Sequence, residues 1–328
     1  MRRLWGFIAL ALTATLAFTA VSEAASVAYV DKGGVWVASL TGKQKRRVAK
    51  QPAGERRWQE VAQADNGRII AVQRKPGQMS NLNRFTLWGP TGRSIFNGVL
   101  TAEPGWTSYI YPLSLDLTSN GRIAVYGYQT MNYNYPVSDL EEGTYVQPVD
   151  KAWATQPFTI EGQRWPTTVG NRIVASQQDV YAGVQKTAGQ PPFVEEFNPW
   201  FSVADTGLTL ERTDVSANKK VVAAELSSSG EGQNQAVIAM SRVGGLGGGL
   251  GSGTCLLPSK GLADHVSLSQ DGKSVAWEDD RGLVAAGAPT FGGSQVCKLT
   301  RGVRVIARGG TFPSIGPAKV VVKKRRHR

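Results

Sequence analysis

One short phrase recurs six times along the 328 residues: a turn pair, a basic residue, then three apolar-leaning positions. It reads Asn66-Gly67-Arg68-Ile69-Ile70-Ala71, Asn120-Gly121-Arg122-Ile123-Ala124-Val125, Gly170-Asn171-Arg172-Ile173-Val174-Ala175, Asn218-Lys219-Lys220-Val221-Val222-Ala223, Asp271-Gly272-Lys273-Ser274-Val275-Ala276 and, most weakly, Pro317-Ala318-Lys319-Val320-Val321-Val322. The basic residues stand at 68, 122, 172, 220, 273 and 319, so successive copies are 54, 50, 48, 53 and 46 residues apart. A period of this length marks a chain built from one repeated supersecondary unit of four strands with their loops.

The fifth copy shows the unit best. Strand Val266 to Ser269 is followed by the turn Asp271-Gly272, strand Ser274 to Glu278, a turn near Asp279 to Gly282, strand Leu283 to Gly287, and then Val296 to Leu299. Asn-Gly and Asp-Gly accept the positive φ that tight β-turns require. The Val, Ile and Ala runs after each turn suit a strand covered on both faces. At the front, Val27 to Leu40 is a hairpin without its own preceding phrase, while the last phrase, Thr311 to Val322, has no hairpin after it. Each end supplies what the other lacks, so the two termini are expected to build one blade together and remove the exposed edges of an open array. The expectation is an all-β, six-bladed β-propeller over 25–322, closed by strands from the two termini.

Two stretches carry a resemblance to a known family. Val27 to Val48 is similar to the strand-turn-strand phrase of the TolB-like six-bladed propellers of bacterial exported proteins, and Ser267-Leu268-Ser269-Gln270-Asp271-Gly272-Lys273-Ser274-Val275-Ala276-Trp277 is similar to their repeat. That family usually has Pro before the Asp-Gly pair, where this chain has Gln270, Asp65 and Ser119. The small α/β domain that precedes the propeller in the Tol-Pal component has no counterpart. The resemblance implies an envelope or extracellular protein that binds proteins or small ligands at the mouth of a central channel.

The ends, charge and cysteines place the chain. Met1-Arg2-Arg3, an uncharged run from Leu4 to Val21 and Ser22-Glu23-Ala24-Ala25 read as a secretory signal cleaved after Ala24, with no cysteine there for a lipid anchor. The chain is therefore expected to be secreted or periplasmic, with no membrane span after cleavage, and monomeric. Cys255 and Cys297, the only cysteines, point to one structural disulfide in an exported protein. As outer strands of diverging neighbours they could meet only if the loop before Cys255 brought it inward. Thirty-seven basic against 25 acidic residues give a formal +12. Five of those charges, Lys323, Lys324, Arg325, Arg326 and Arg328, sit in the tail 323–328, which is either a solvated end or an attachment point for anionic envelope polymers.

No residue cluster names a reaction. His265 and His327 are the only histidines, too few for a metal cluster, and no Gly-x-Ser-x-Gly elbow supplies a nucleophile. Asp264 adjoins His265, but neighbours on a strand point to opposite faces. The glycine run 244–253 lacks the Lys-Ser/Thr ending of a phosphate cradle and reads as a loop. No catalytic residue, metal or cofactor is assigned. An alternative class, a carbohydrate-active hydrolase or lyase, would gather carboxylates at the channel mouth from Asp139, Glu141 and Glu142, from Glu195 and Glu196, or from Glu278, Asp279 and Asp280, all expected in turns. For binding an unknown protein or small ligand at the propeller face, the stretch Tyr126 to Pro136 stands out. Tyr126 and Tyr128 alternate as packed strand residues, and Met131, Tyr133 and Tyr135 are the candidates for an adaptable contact surface.

Overall fold

Asn or Asp followed by a left-handed residue folds each recurring phrase into the same turn. The side-chain Oδ1 of Asn66, Asn120, Asn218 and Asp271 accepts from the backbone N–H two residues on, at 3.0 Å in all four copies. The residue between has positive φ: Gly67, Gly121, Gly272 and, unusually, Lys219 at 56°. Such an Asx turn reverses the chain and starts the next strand. In a computed structural model, residues 25–75, 83–100, 114–132, 139–150, 158–170, 172–177, 181–185, 198–202, 208–228, 235–242, 253–292 and 294–321 are described.

Among the described residues the strands include six four-stranded antiparallel sheets. The first contains β1 (Ser26–Asp31), β2 (Gly34–Ser39) and β3 (Lys45–Ala49). Then come β4 (Arg57–Gln63), β5 (Ile69–Arg74), β6 (Asn83–Trp88) and β7 (Ser94–Leu100), followed by β8 (Leu115–Leu117), β9 (Ile123–Asn132), β10 (Asp139–Pro148) and β11 (Phe158–Glu161). The fourth sheet holds β12 (Gln163–Val169), β13 (Arg172–Gln177), β14 (Tyr181–Gln185) and β15 (Asn198–Ser202). The fifth holds β16 (Thr209–Val215), β17 (Val221–Ser228), β18 (Gln235–Arg242) and β19 (Cys255–Leu256). The sixth is β20 (Asp264–Leu268), β21 (Ser274–Asp279), β22 (Gly282–Gly287) and β25 (Arg304–Ala307), with a two-stranded ribbon, β23 (Pro289–Thr290) and β24 (Lys298–Leu299), inserted before its last strand.

The last strand, β26 (Thr311–Gly316), pairs antiparallel with β1, Ser26 opposite Gly316 and Val27 opposite Ile315, and completes the first sheet in the order β26-β1-β2-β3. Chain ends 290 residues apart are thus joined, and Ser26 Oγ donates to the Gly316 carbonyl at 3.0 Å. The innermost strands β26, β4, β8, β12, β16 and β20 touch in cyclic order, β20 returning to β26. The chain is a β-propeller.

Apolar contact between neighbouring sheets holds the ring. Each second strand is buried on both faces: Val27 to Val30, Ile69 to Val72, Ala124 to Tyr126, Ile173 to Ala175, Val221 to Ala224 and Val275 to Trp277. One inter-sheet cluster packs Phe85, Leu87, Leu117, Tyr126, Tyr128 and Tyr145, with the Tyr128 and Tyr145 rings stacked at 4.1 Å between centroids. Another encloses Trp277 among Met240, Leu268 and Val284.

Three sequence expectations are corrected here. The fourth strand of the sixth sheet is Arg304–Ala307, and Val296 to Leu299 belongs to the inserted ribbon instead. That ribbon is what reaches across to Cys255: Val296 bridges Leu256 in parallel, and Cys255 and Cys297 are disulfide-bonded with Cα atoms 4.8 Å apart. The sixth phrase, Lys319 onward, forms no strand, because β1 from the other terminus already occupies the place after β26. Lys319 is held instead by its N–H to the Pro90 carbonyl at 3.0 Å. Asp139, Glu141 and Glu142 lie within β10 rather than in a turn, and Glu278 and Asp279 close β21.

Candidate functional site

The six inner strands place their side chains in tiers along a central channel. At its waist stand Ala62, Asp116, Thr167, Asp214, Ser267 and Ser314, one from each inner strand. Four of them reach sideways to a backbone N–H of a neighbouring inner strand. Asp116 accepts from Thr168 at 2.6 Å, Asp214 from Leu268 at 2.6 Å, Ser267 from Ile315 at 3.0 Å and Ser314 from Gln63 at 2.8 Å. The N–H donors Thr168, Leu268, Ile315 and Gln63 each follow a waist residue by one position, so the contact repeats around the ring. At Leu117, Ala62 has no group to offer, and Asp116 accepts from the Leu117 N–H itself at 2.7 Å. Thr167 also turns to Asp116, at 3.0 Å. The belt fastens inner strands that share no ladder hydrogen bonds.

Burial pushes the Asp116 carboxyl up to about 6, although hydrogen bonds from Leu117, Thr168 and Thr167 favour its charge. Asp214 is pushed up to about 7, first by burial and then by the negative charge of Asp116. Two carboxyls in one narrow channel thus hold protons at a pH where exposed aspartate is ionised.

Two residues before each waist residue lies a second ring: Glu60, Ser114, Trp165, Arg212, His265 and Phe312, around a cavity of ≈70 Å³. One water needs about 10–15 Å³, so several fit. The backbone is bent to make this ring. Pairing registers slip at Glu60, at Trp165–Pro166, at Glu211, at His265–Val266 and at Phe312–Pro313. Glu60, Trp165, His265 and Phe312 all have positive φ, between 33° and 55°. Left-handed bulges in non-glycine residues are strained conformations that re-aim side chains.

The ring is chemically mixed. Arg212 donates to both Glu60 oxygens, at 2.9 and 3.3 Å, tying β16 to β4, and its guanidinium lies 5.3 Å from the centre of the Trp165 ring. Burial opposes the Arg212 charge, but Glu60, Glu225 and Asp264 outweigh it and hold its pKa above the usual value. His265 Nδ1 is 2.9 Å from Glu278 and 3.1 Å from Asp264, and its ring meets Phe312 edge-on at 4.6 Å. Burial and Arg212 push the imidazole down, yet the adjacent carboxylates of Asp264 and Glu278 raise it to about 10. The backbone N–H of His265 donates to Glu225 at 2.9 Å and to Asp264 Oδ1 at 2.6 Å. Burial raises the Glu225 carboxyl well above its normal range, helped by the adjoining Asp264. Burial works against ionised Asp264 too, but His265 and Glu225 hold it well below. The hydroxyls of Ser114 and Thr213 are buried beside the same cavity with no partner among the described residues.

At the other mouth, the recurring turns meet. Asn66 Nδ2 donates to the Asn120 carbonyl at 2.6 Å and Asn218 Nδ2 to that of Asp271 at 2.8 Å, while Gln270 reaches Asp65 at 2.9 Å.

His265 and Asp264 do meet, contrary to the strand-alternation argument, because the bulge turns His265 back toward its neighbour. A histidine raised to about 10 is a cation at neutral pH and not a general base. Glu278 also accepts from the Phe312 N–H, Glu142 pairs with Arg164, and Asp279 binds Arg281 and Trp277 Nε1, so these carboxylates are engaged in holding the fold. Met131 sits in β9 opposite Leu140. Its side chain, Tyr133, Tyr135, Glu195, Glu196 and the tail residues Lys323, Lys324, Arg325, Arg326 and Arg328 lie outside the described residues. Sequence reading missed the ring. Its signal is positional: Glu60, Ser114, Arg212 and His265 each precede the basic residue of the next phrase by eight, and Trp165 and Phe312 by seven.

No family model matches the chain, and no curated protein does. Among solved structures, similar folds include the β-propeller domain of Cps50 (Swd1) from Myceliophteria thermophila, 12% identical over 82% of this chain and 97% of that one, with a TM-score of 0.47. A putative TolB from Agrobacterium tumefaciens is 13% identical over 82% and 80%, TM-score 0.42. A prolyl endopeptidase is 11% identical over 86% of this chain, TM-score 0.46. The chain spans about half (47%) of that enzyme's length. No helix among the described residues is long and apolar enough to cross a membrane.

Proposed function

We propose that this chain is an exported, non-catalytic binding scaffold, a six-bladed propeller of TolB-like kind with each four-stranded sheet as one blade, and that it recognises a protein segment or small ligand at the channel mouth ringed by Glu60, Ser114, Trp165, Arg212, His265 and Phe312. The observation that carries this reading is the set of left-handed bulges at Glu60, Trp165, His265 and Phe312. Each costs on the order of 1 kcal/mol or more, and such strain concentrates where side chains must be aimed at a ligand. A propeller ring can offer such a site without any motion of its own. In this reading residues 1–24 are removed on export and the tail 323–328 is an accessory contact. The disulfide supports an oxidising compartment. Engagement of the ring and waist carboxylates in the fold favours binding over the hydrolase or lyase alternative.

The test places a photo-crosslinking residue at Trp165, and separately at Gln270 on the opposite mouth, in the mature chain exposed to envelope and culture fluid. A defined species captured from position 165 alone, in high salt and without residues 323–328, supports the scaffold. Capture that occurs only through the tail overturns it.

A further inference from the structure

A second surface lies away from the channel, on the outer rim where the first and sixth sheets meet. Residues 41–50 hold five basic residues and no acidic one, and 301–309 hold three and none. The structure brings the two runs together. The turn at Gly42 rests on Val305 and Ile306, and a cleft of ≈670 Å³ opens between β3 and β25, lined by Lys32, Lys45, Val305 and Arg308, with Asp31 its one carboxylate. Lys43, Arg47 and Arg304 stand exposed on the same two runs. None of these six cations forms an ion pair with a described residue. Arg46, between Lys45 and Arg47, turns the other way and is spent on the carbonyls of Lys319 and Pro90. Lys45 and Arg47 instead lie over the Trp36 ring, 5.9 and 5.7 Å from its centre.

We propose that this cleft binds a linear anionic glycan. Uncompensated cations along a concave rim attract a chain of regularly spaced anions and raise its local concentration. A recessed cleft of this volume suits a polymer strand better than a flat bilayer. Single-stranded nucleic acid needs open aromatic faces for its bases, and the Trp36 face is already covered by Lys45 and Arg47. Val305, 45% exposed at the cleft, offers the apolar patch on which a sugar ring can rest, which a bare phosphate polymer would not use.

The test is titration of the intact chain with a heparin-derived hexasaccharide. Binding should weaken by about 10²-fold as salt rises from about 50 to about 200 mM, the scaling for about four neutralised anions. The double reversal Lys45→Glu with Arg304→Glu should weaken it by about tenfold or more and lower the salt slope by about 2. Lys220→Glu with Arg172→Glu, an equal charge change at exposed sites elsewhere, and deletion of 323–328 should each change it by less than about threefold. If the reversal perturbs folding, the neutral pair Lys45→Gln and Arg47→Gln reads the same loss. Unaltered binding in the rim variants, equal loss in the control pair, or tighter binding of polyphosphate, an oligonucleotide or anionic vesicles than of the glycan would overturn the proposal.

Discussion

At the residue scale, the ring residues owe their environment to one another. Glu60 is buried, and the half-buried Arg212 bonds it bidentately. Replacing Arg212 by Ala leaves a buried charge without its partner, which costs about 3–5 kcal/mol in chemical denaturation. Glu60→Gln with Arg212→Met together should cost much less. Proton linkage has a definite sign here. Asp116 and Asp214, raised from 3.8 to about 6 and about 7, hold protons that the unfolded chain has released, so they lower stability as pH rises from about 4 to about 7. His265, raised from 6.5 to about 10, contributes stability fully below about 6.5 and loses it as pH climbs to about 10. Unfolding free energies measured across pH 4–10 should therefore decline; Asp116→Asn with Asp214→Asn flattens the lower window and His265→Gln the upper one. The turn at Lys219 makes the opposite case. Its φ of 56° carries about 1 kcal/mol of left-handed strain against about 0.5 kcal/mol of chain entropy that glycine adds. Lys219→Gly should thus stabilise by about 0.5 kcal/mol, read from the denaturation midpoint.

At the element scale, the closing strand and the disulfide do different work. β26 is one of the two strands paired with β1 and carries the belt residue Ser314. A chain ending after Gly310 should expose the paired edge of β1, leave β20 and β4 without the strand between them, and elute as aggregates in size-exclusion chromatography. The Cys255–Cys297 bond closes a loop of 42 residues, worth about 4 kcal/mol in the chain-entropy view. Loss of it in the double Ala variant should lower stability by that order without opening the ring. Which elements were legible follows from what fixes them. Asn-Gly and Asp-Gly pairs announce their turns because the local φ decides the fold there, and the terminal hairpin without a phrase announced the joined ends. The β23–β24 ribbon was hidden because Val296 to Leu299 has strand composition but pairs with a neighbouring sheet, a contact that local propensity does not encode. The bulges at His265 and Phe312 were hidden for a related reason: a one-residue slip changes no composition yet turns a side chain to the other face.

At the scale of the whole molecule, the ring of sheets sets two distinct surfaces. The channel mouth is enclosed, strained and chemically mixed; the rim between β3 and β25 is open and cationic. Salt separates them, since a ligand seated among Trp165, Phe312 and a compensated ion pair loses little affinity to screening, whereas the rim loses much. The most direct test of the scaffold reading is the affinity of the species captured at position 165 for the Trp165→Ala and Phe312→Ala variants, with Lys45→Glu/Arg304→Glu as the surface control. The account predicts a loss of about tenfold or more in both ring variants, the usual effect of truncating a central aromatic contact, with the control unchanged and all thermal transitions above the assay temperature. Equal affinity for the ring variants and the unaltered chain would contradict it.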